Sequence, residues 1–347
     1  HVSFLVTDHG GGADSPMAIL SGDFLFVGDL GRPDLLESAA GQMGSMEPSA
    51  KKLFQSIQLI DGLAEHLQVW PGHGAGSACG KALGAVPTST IGYERRFNGA
   101  LSFSDDEGRF IEEILSGQPE PPLYFANMKK LNRDGAAVLG ALPTPQEMDE
   151  DQFVTSYQQG VRVIDTRQWK RFQQAHLPGA WSIPMTSRLG SYLGSFGDAE
   201  APYIIVGEET EIEEVVRRMI RIGFDRIVGW FPSDKMESSS RFDGSWLQVE
   251  EVAADQVHSV IHSDDVKVLD VRRATEYQEE HISGALNLSH TRLAAHLDEI
   301  DKDTTWHLMC ETGDRSERTA SFLASRGYSV INLAGGMQNV RSGKVVR

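Results

Sequence analysis

VKVLDVRRATEYQEEHISGALNLS (266–289) and VRVIDTRQWKRFQQAHLPGAWSIP (161–184) are one stretch written twice. Asp165/Asp270, Arg167/Arg272, His176/His281, Gly179/Gly284 and Ala180/Ala285 each lie 105 residues apart. Further on, RIGFDRI (221–227) matches SRGYSVI (325–331) at an offset of 104. Paired polar and glycine positions at one constant spacing imply two copies of a domain of about 100 residues, a common domain size.

Each copy alternates apolar runs with helical patterns. In the second, VKVLDV, ALNLS, WHLMC and SVINLA read as buried strands; TEYQEEH, TRLAAHLDEI and RSERTASFLASRG read as the helices between them. That alternation predicts an α/β fold, a parallel sheet with helices on both faces.

Residues 1–142 are patterned differently. VSFLVT, MAILSG and LQVWPG are strand-like, whereas Leu53, Ile57, Ile60, Ala64 and Leu67 recur at helical spacing. Ser104-Asp105-Asp106-Glu107 reads as a capping box opening the helix GRFIEEILSG. QPEPPLYF (118–125) cannot be regular helix, because its prolines remove donors and clash with the preceding turn. ALPTPQEMDED (141–151) reads as a linker. The expected domains are therefore 1–142, 143–247 and 248–347. The chain opens at His1, directly ahead of a strand-like run, which reads as a fragment.

Composition narrows the function. The 347 residues are 40% apolar and 23% charged, as in ordinary soluble globular chains, and no apolar run approaches the ~20 residues of a membrane span. A cytoplasmic protein without a membrane partner is expected. The net charge of −17 would repel phosphate backbones, which argues against nucleic acid. With only Cys79 and Cys310, a disulfide scaffold is not expected, and a thiol kept for chemistry is.

Cys310 ends an apolar run and is followed by Glu311, Thr312, Gly313, Asp314 and Arg315 before a helical pattern. A cysteine there sits at a helix N-terminus, where unpaired amides and the helix dipole favour a thiolate. Successive amides could form a nest around one sulfur, and Gly313 permits the torsion that such a loop needs. Cysteine phosphatases use Cys-x5-Arg; Cys-x4-Arg is one residue shorter and suits the smaller terminal sulfur of a persulfide. The bland alternative is one more buried thiol.

This loop, with DVR (270–272), HISGALNLS (281–289) and NLAGGM (332–337), resembles the rhodanese sulfurtransferases. The resemblance implies that Cys310 is the persulfide-forming nucleophile, with Arg315 and the amides of residues 311–314 stabilising it. Asp270 and Arg272 would support the fold. Glu311 and Asp314 put negative charge where many relatives are basic or neutral, so dianionic thiosulfate is expected to be a poor donor. In the first copy, counting back from Gly223 puts the cysteine position at Val206. That copy is expected to be inactive, a spacer or docking surface.

SGDFLFVGDLGRPDLL (21–36), VWPGHGAGSACG (69–80) and NMKKLNRDG (127–135) resemble the metallo-β-lactamase superfamily, in particular persulfide dioxygenases followed by rhodanese domains. The implied architecture is a partial αββα sandwich followed by two rhodanese-like parallel-sheet domains. Asp23 and His73 match metal-ligand positions; Arg32 and Asp34 would brace the adjoining loop, and Cys79 would line the substrate path or be buried structurally. Fe(II) is the implied cofactor, with Zn2+ as the alternative. The superfamily's His-x-His-x-Asp-His motif is absent, because none of the eleven histidines lie two residues apart. The ligand set in this chain is therefore expected to be incomplete.

The implied activity is oxidation of a low-molecular-weight thiol persulfide, such as glutathione persulfide, to sulfite. Rhodanese transfer through Cys310 would be coupled to it, with sulfite or thiosulfate as partners. A zinc-dependent thioester hydrolase of the glyoxalase II type and a sulfur carrier or scaffold in which only Cys310 reacts are the alternatives. A half-built metal domain would also expose apolar sheet surface and invite self-association.

Overall fold

A computed structural model describes residues 1–39, 41–74, 86–263 and 265–342. The chain divides into two compact units, His1–Pro121 and Pro122–Arg347. The division falls ahead of the 142/143 boundary read from the linker, so the helix Phe125–Asp134 lies in the second unit. There, the ring of Tyr124 lies where a Cβ on Gly194 would go, and Leu131 does the same at Gly223.

In the first unit β1 (Phe4–Val6), β2 (Ala18–Gly22), β3 (Gln68–Pro71) and β4 (Ser89–Thr90) form a sheet in that order. β1/β2 and β3/β4 are antiparallel, whereas β2/β3 are parallel. Its core joins Ile19 and Val69 of the sheet to Ala50 and Ile57 of the helix Met46–Ile57 and to Phe110 and Ile114 of the helix Glu107–Leu115. Burying apolar stripes of helices against one sheet face is the main favourable term here. On β1 and β2, Phe4 and its cross-strand partner Leu20 remain 61% and 42% exposed. The cap of Glu107–Leu115 differs from the sequence reading. Asp106 is the N-cap and accepts from the Arg109 amide, because the residues before it are taken up by a 3-10 turn, Gly99–Phe103.

The second unit holds two parallel sheets of one design. The first copy orders β5 (Arg162–Asp165), β6 (Trp181–Ser182), β7 (Tyr203–Gly207) and β8 (Ile227–Pro232) as β6-β5-β7-β8. The second orders β9 (Glu250–Val252), β10 (Lys267–Asp270), β11 (Leu286–Asn287), β12 (Trp306–Met309) and β13 (Val330–Leu333) as β11-β10-β12-β13-β9. A single parallel bridge, Glu147–Trp230, stands in the first copy where β9 pairs in the second.

The repeated polar residues do repeated structural work. Arg167 and Arg272, both buried, clasp Asp165 and Asp270 through Nε and a terminal nitrogen, and each donates to a carbonyl eight residues on, Ala175 or Glu280. His176 and His281 bond to the carbonyls of Phe172 and Tyr277 and stack on those rings. A buried ion pair must be completely satisfied to be tolerated, and these are. The copies share one core, with Phe196 stacked on Phe322 at 4.7 Å. One expected helix is absent: TRLAAHLDEI forms two 3-10 turns, Leu293–Ala295 and Leu297–Glu299. His296 between them, at φ −129° and ψ 33°, leaves helical geometry.

Candidate active site

β12 delivers Cys310 to the C-terminal edge of the second sheet, and the helix Asp314–Ala324 starts after three loop residues. The Gly313 N–H donates to Cys310 Sγ at 3.1 Å. Gly313 sits at φ +104°, a conformation that favours glycine, and as N-cap it has no side chain to compete for the helix amides. The glycine pair Gly335-Gly336 lies against the cysteine's backbone. The Met337 amide donates to the Cys310 carbonyl at 2.8 Å, and a Cβ on Gly336 would meet that carbonyl oxygen at 2.1 Å. NLAGGM therefore fixes the cysteine's backbone from behind. The thiol itself is buried.

The charged neighbours are paired. Arg315 binds Glu276 bidentately at 2.6 and 2.7 Å. Burial works against the Arg315 charge, but Glu276, with a smaller share from Cys310, holds its pKa above the ordinary arginine value. Burial also opposes the Glu276 charge, and Arg315 prevails, keeping that carboxyl below its usual range. Arg315 is thus anchored, a fixed positive charge beside the thiol. Glu311 is bound by Arg341 and approached by Arg272 at 3.5 Å. Asp314 accepts from the Tyr192 hydroxyl and from Arg188 at 3.1 Å. The expectation that these two acids repel thiosulfate needs correction, since each already faces a cation. Burial, reinforced by Arg315 and Arg273, pushes the pKa of His290 down to about 3, so this buried ring is neutral. Its centroid is 5.8 Å from that of Tyr192.

Glu276, Tyr192, Arg188 and His290 carry no motif and were not found from sequence. Only the fold brings them to the loop.

The first copy has lost more than a thiol. Asp165 pairs with Val206 as Asp270 pairs with Met309, so the residue equivalent to Cys310 is Gly207, not Val206. Counting back from Gly223 failed because one residue, Glu208, separates Gly207 from its helix Glu209–Ile220, whereas three follow Cys310. That helix is also one residue longer, 12 against 11. The three-residue loop that brings the Gly313 amide back to Cys310 has no counterpart there.

In the first unit, the parallel pairing of β2 with β3 brings Asp23 and His73 to the same edge, with Oδ1 and Nε2 3.7 Å apart. His73 Nε2 is a buried nitrogen with no hydrogen-bond partner, and Phe26 packs on the ring at 4.5 Å. Both side chains suit a metal, yet among the described residues no group of three His, Cys, Asp or Glu forms. The residues present supply two donors where an ion normally takes three or four. Cys79 lies outside the described residues. Arg32 clasps Asp34 at 2.9 and 2.6 Å and donates to the Pro119 carbonyl. The loop they brace is also held by buried Glu94, which accepts from the Gly28 amide and from Asn98.

Known proteins resemble this chain in part. Residues 253–342 match the family model described as "Rhodanese-like domain". The chain is 28% identical over 152 residues to the putative sulfur carrier protein YrkF of Bacillus subtilis, covering 42% of this chain and 74% of that protein. It is 35% identical over 75 residues to the thiosulfate sulfurtransferase GlpE of Coxiella burnetii, covering 21% of this chain and 70% of the relative. A metallo-β-lactamase structure from Staphylococcus aureus subsp. aureus COL aligns at 36% identity and a TM-score of 0.57, over 66% of this chain. This chain spans 62% of that protein's length. The fold is thus α/β, with parallel-sheet rhodanese-like domains and a metallo-β-lactamase-like neighbour. Through the domain that holds Cys310, the chain belongs to the rhodanese family.

Proposed function

We propose that this chain is a sulfurtransferase in sulfur metabolism that carries sulfur on Cys310. The Cys310 thiolate attacks the outer sulfur of a thiol persulfide, forming a new S–S bond as the old one breaks. The donor leaves as its thiolate, which takes up the proton released from Cys310 or from the persulfide. Thiosulfate would react alike, with sulfite as the leaving group, and attack of sulfite on the Cys310 persulfide is the reverse step. The observation that carries this reading is the Gly313 amide turned onto Sγ at the head of a helix. An amide there stabilises negative charge on the sulfur both as thiolate and as terminal persulfide. The similarity to sulfur-transfer proteins supports it.

The finer reading adds a persulfide dioxygenase in the first unit, with Asp23 and His73 as two of the ligands of an Fe(II) centre and Zn2+ as the alternative ion. Its sulfite product would be the acceptor for Cys310. The metallo-β-lactamase likeness and the unpartnered His73 Nε2 support it. A tether between the two sites would raise the local concentration of a reactive sulfur intermediate. A second reading, a carrier that delivers the Cys310 sulfur to another protein, is favoured by the similarity to YrkF.

Treatment with a persulfide donor should add one sulfur to the Cys310 peptide, seen by mass spectrometry, and Cys310→Ser should abolish transfer to sulfite or cyanide. Transfer that survives in Cys310→Ser would refute the proposal.

A further inference from the structure

The first repeat lacks both thiol and cradle, yet it reaches the living loop. The helix Asp314–Ala324 lies against β6: Arg318 donates to the Ser182 hydroxyl, the Ser321 hydroxyl accepts from the Ser182 amide, and Trp181 donates to Ser325. At the head of that helix, buried Tyr192 of the helix Leu189–Phe196 donates its hydroxyl to Asp314 Oδ2, and Arg188 binds the same oxygen at 3.1 Å. Arg318 Nε stands 4.0 Å from the other carboxylate oxygen.

Asp314 is the first residue of the helix capped by Gly313, whose amide donates to Cys310 Sγ. A carboxylate at that position is an anion at a helix N-terminus and competes there with any other anion. The other charges around the thiol are fixed within the second repeat: Arg315 by Glu276, and Glu311 by Arg341 and Arg272. Glu317 is held by Arg318, and His290 is neutral. Among these acids, Asp314 is the one that takes hydrogen bonds from side chains of the first repeat.

Given the reading of Cys310 as the sulfur carrier, we propose that the first repeat tunes it. Tyr192 and Arg188 are positioning residues that hold the Asp314 carboxylate away from the loop amides and neutralise it, which leaves those amides to the sulfur. The degenerate copy is then part of the working site, not only a spacer. With either partner lost, the Asp314 charge is less fully balanced, Arg318 at 4.0 Å being the cation of the second repeat that remains, and it disfavours a thiolate at the same helix start.

The test is the pH dependence of iodoacetamide alkylation of Cys310 in the full chain. Peptide mass spectrometry scores Cys79 separately. Tyr192→Phe and Arg188→Gln should each move the midpoint up by about half to one pH unit, a roughly three- to tenfold slower reaction below it. In an Asp314→Asn background neither substitution should shift it further. A wild-type profile in both variants would overturn the proposal, as would equal shifts with and without Asp314→Asn. Arg188 is 64% exposed, so Arg188→Gln carries the test even where Tyr192→Phe fails to fold. Alkylation needs no sulfur donor: if wild-type Cys310 never gained a sulfur, the transfer reading would fall while this result stood.

Discussion

His290 shows how one side chain near the thiol reports on the whole fold. Its ring is buried, its Nδ1 has no hydrogen-bond partner, and its pKa falls from 6.5 to about 3, chiefly through burial and then through Arg315 and Arg273. The folded-state value is depressed, so between 6.5 and about 3 the unfolded chain takes up a proton that the folded chain refuses. Stability therefore falls as pH falls through this window, by about 1.4 kcal/mol per unit from this group alone. His176 and His307, also depressed by burial, act in the same direction, so the comparison must be with a variant. His290→Gln removes its share. Denaturant unfolding at a series of pH values should give a shallower acid decline in the variant, by about 1.4 kcal/mol per unit between pH 6 and 4. Parallel curves would mean that the ring is protonated in the folded protein.

At the scale of elements, what separates the two copies is a loop, and the loop can be tested directly. Gly207→Cys restores a thiol at the position equivalent to Cys310, but only Glu208 precedes the following helix. A Cβ on Gly207 would also stand 2.3 Å from Thr166 Oγ1. The double variant Gly207→Cys, Cys310→Ser should form no persulfide on residue 207 and show no transfer, with a stability loss of about 1–3 kcal/mol from overpacking. Activity recovered in that variant would show that a thiol at the end of the strand suffices without the amide cradle. The same loop marks where sequence reading stopped. Asp165/Asp270 and His176/His281 were legible because each answers to contacts within its own copy, so a constant offset survives. The Val206 assignment failed because a shortened loop and a lengthened helix nearly cancel, leaving an offset that looks almost unbroken. The cradle was legible as Cys310, Gly313 and a helix start; its supports, Tyr192 and Arg188 across the copies and Glu276 within one, are tertiary facts with no local pattern. TRLAAHLDEI misled because leucines spaced for a helix are spaced equally well for two tight turns over one core.

Across the whole molecule, the two chemistries suggested by this chain rest on separate foundations. The thiol loop is built from amides, glycines and buried ion pairs of the unit Pro122–Arg347, and no metal-binding group of three His, Cys, Asp or Glu forms among the described residues. The candidate metal donors, Asp23 and His73, belong to His1–Pro121. Two donors 3.7 Å apart can grip an ion only weakly without further ligands, and the sulfur step needs none of them. Prolonged treatment with a chelator, followed by removal of chelator and metal, should therefore leave sulfur transfer from thiosulfate or a persulfide within about twofold of its starting rate. Any metal-dependent oxygen consumption should disappear under the same treatment. Asp23→Asn and His73→Ala should behave as chelation does, lowering the metal content measured on the purified protein and sparing persulfide formation on Cys310. A transfer rate that fell in step with metal content would contradict this division, because the cradle would then depend on the first unit for more than its tether.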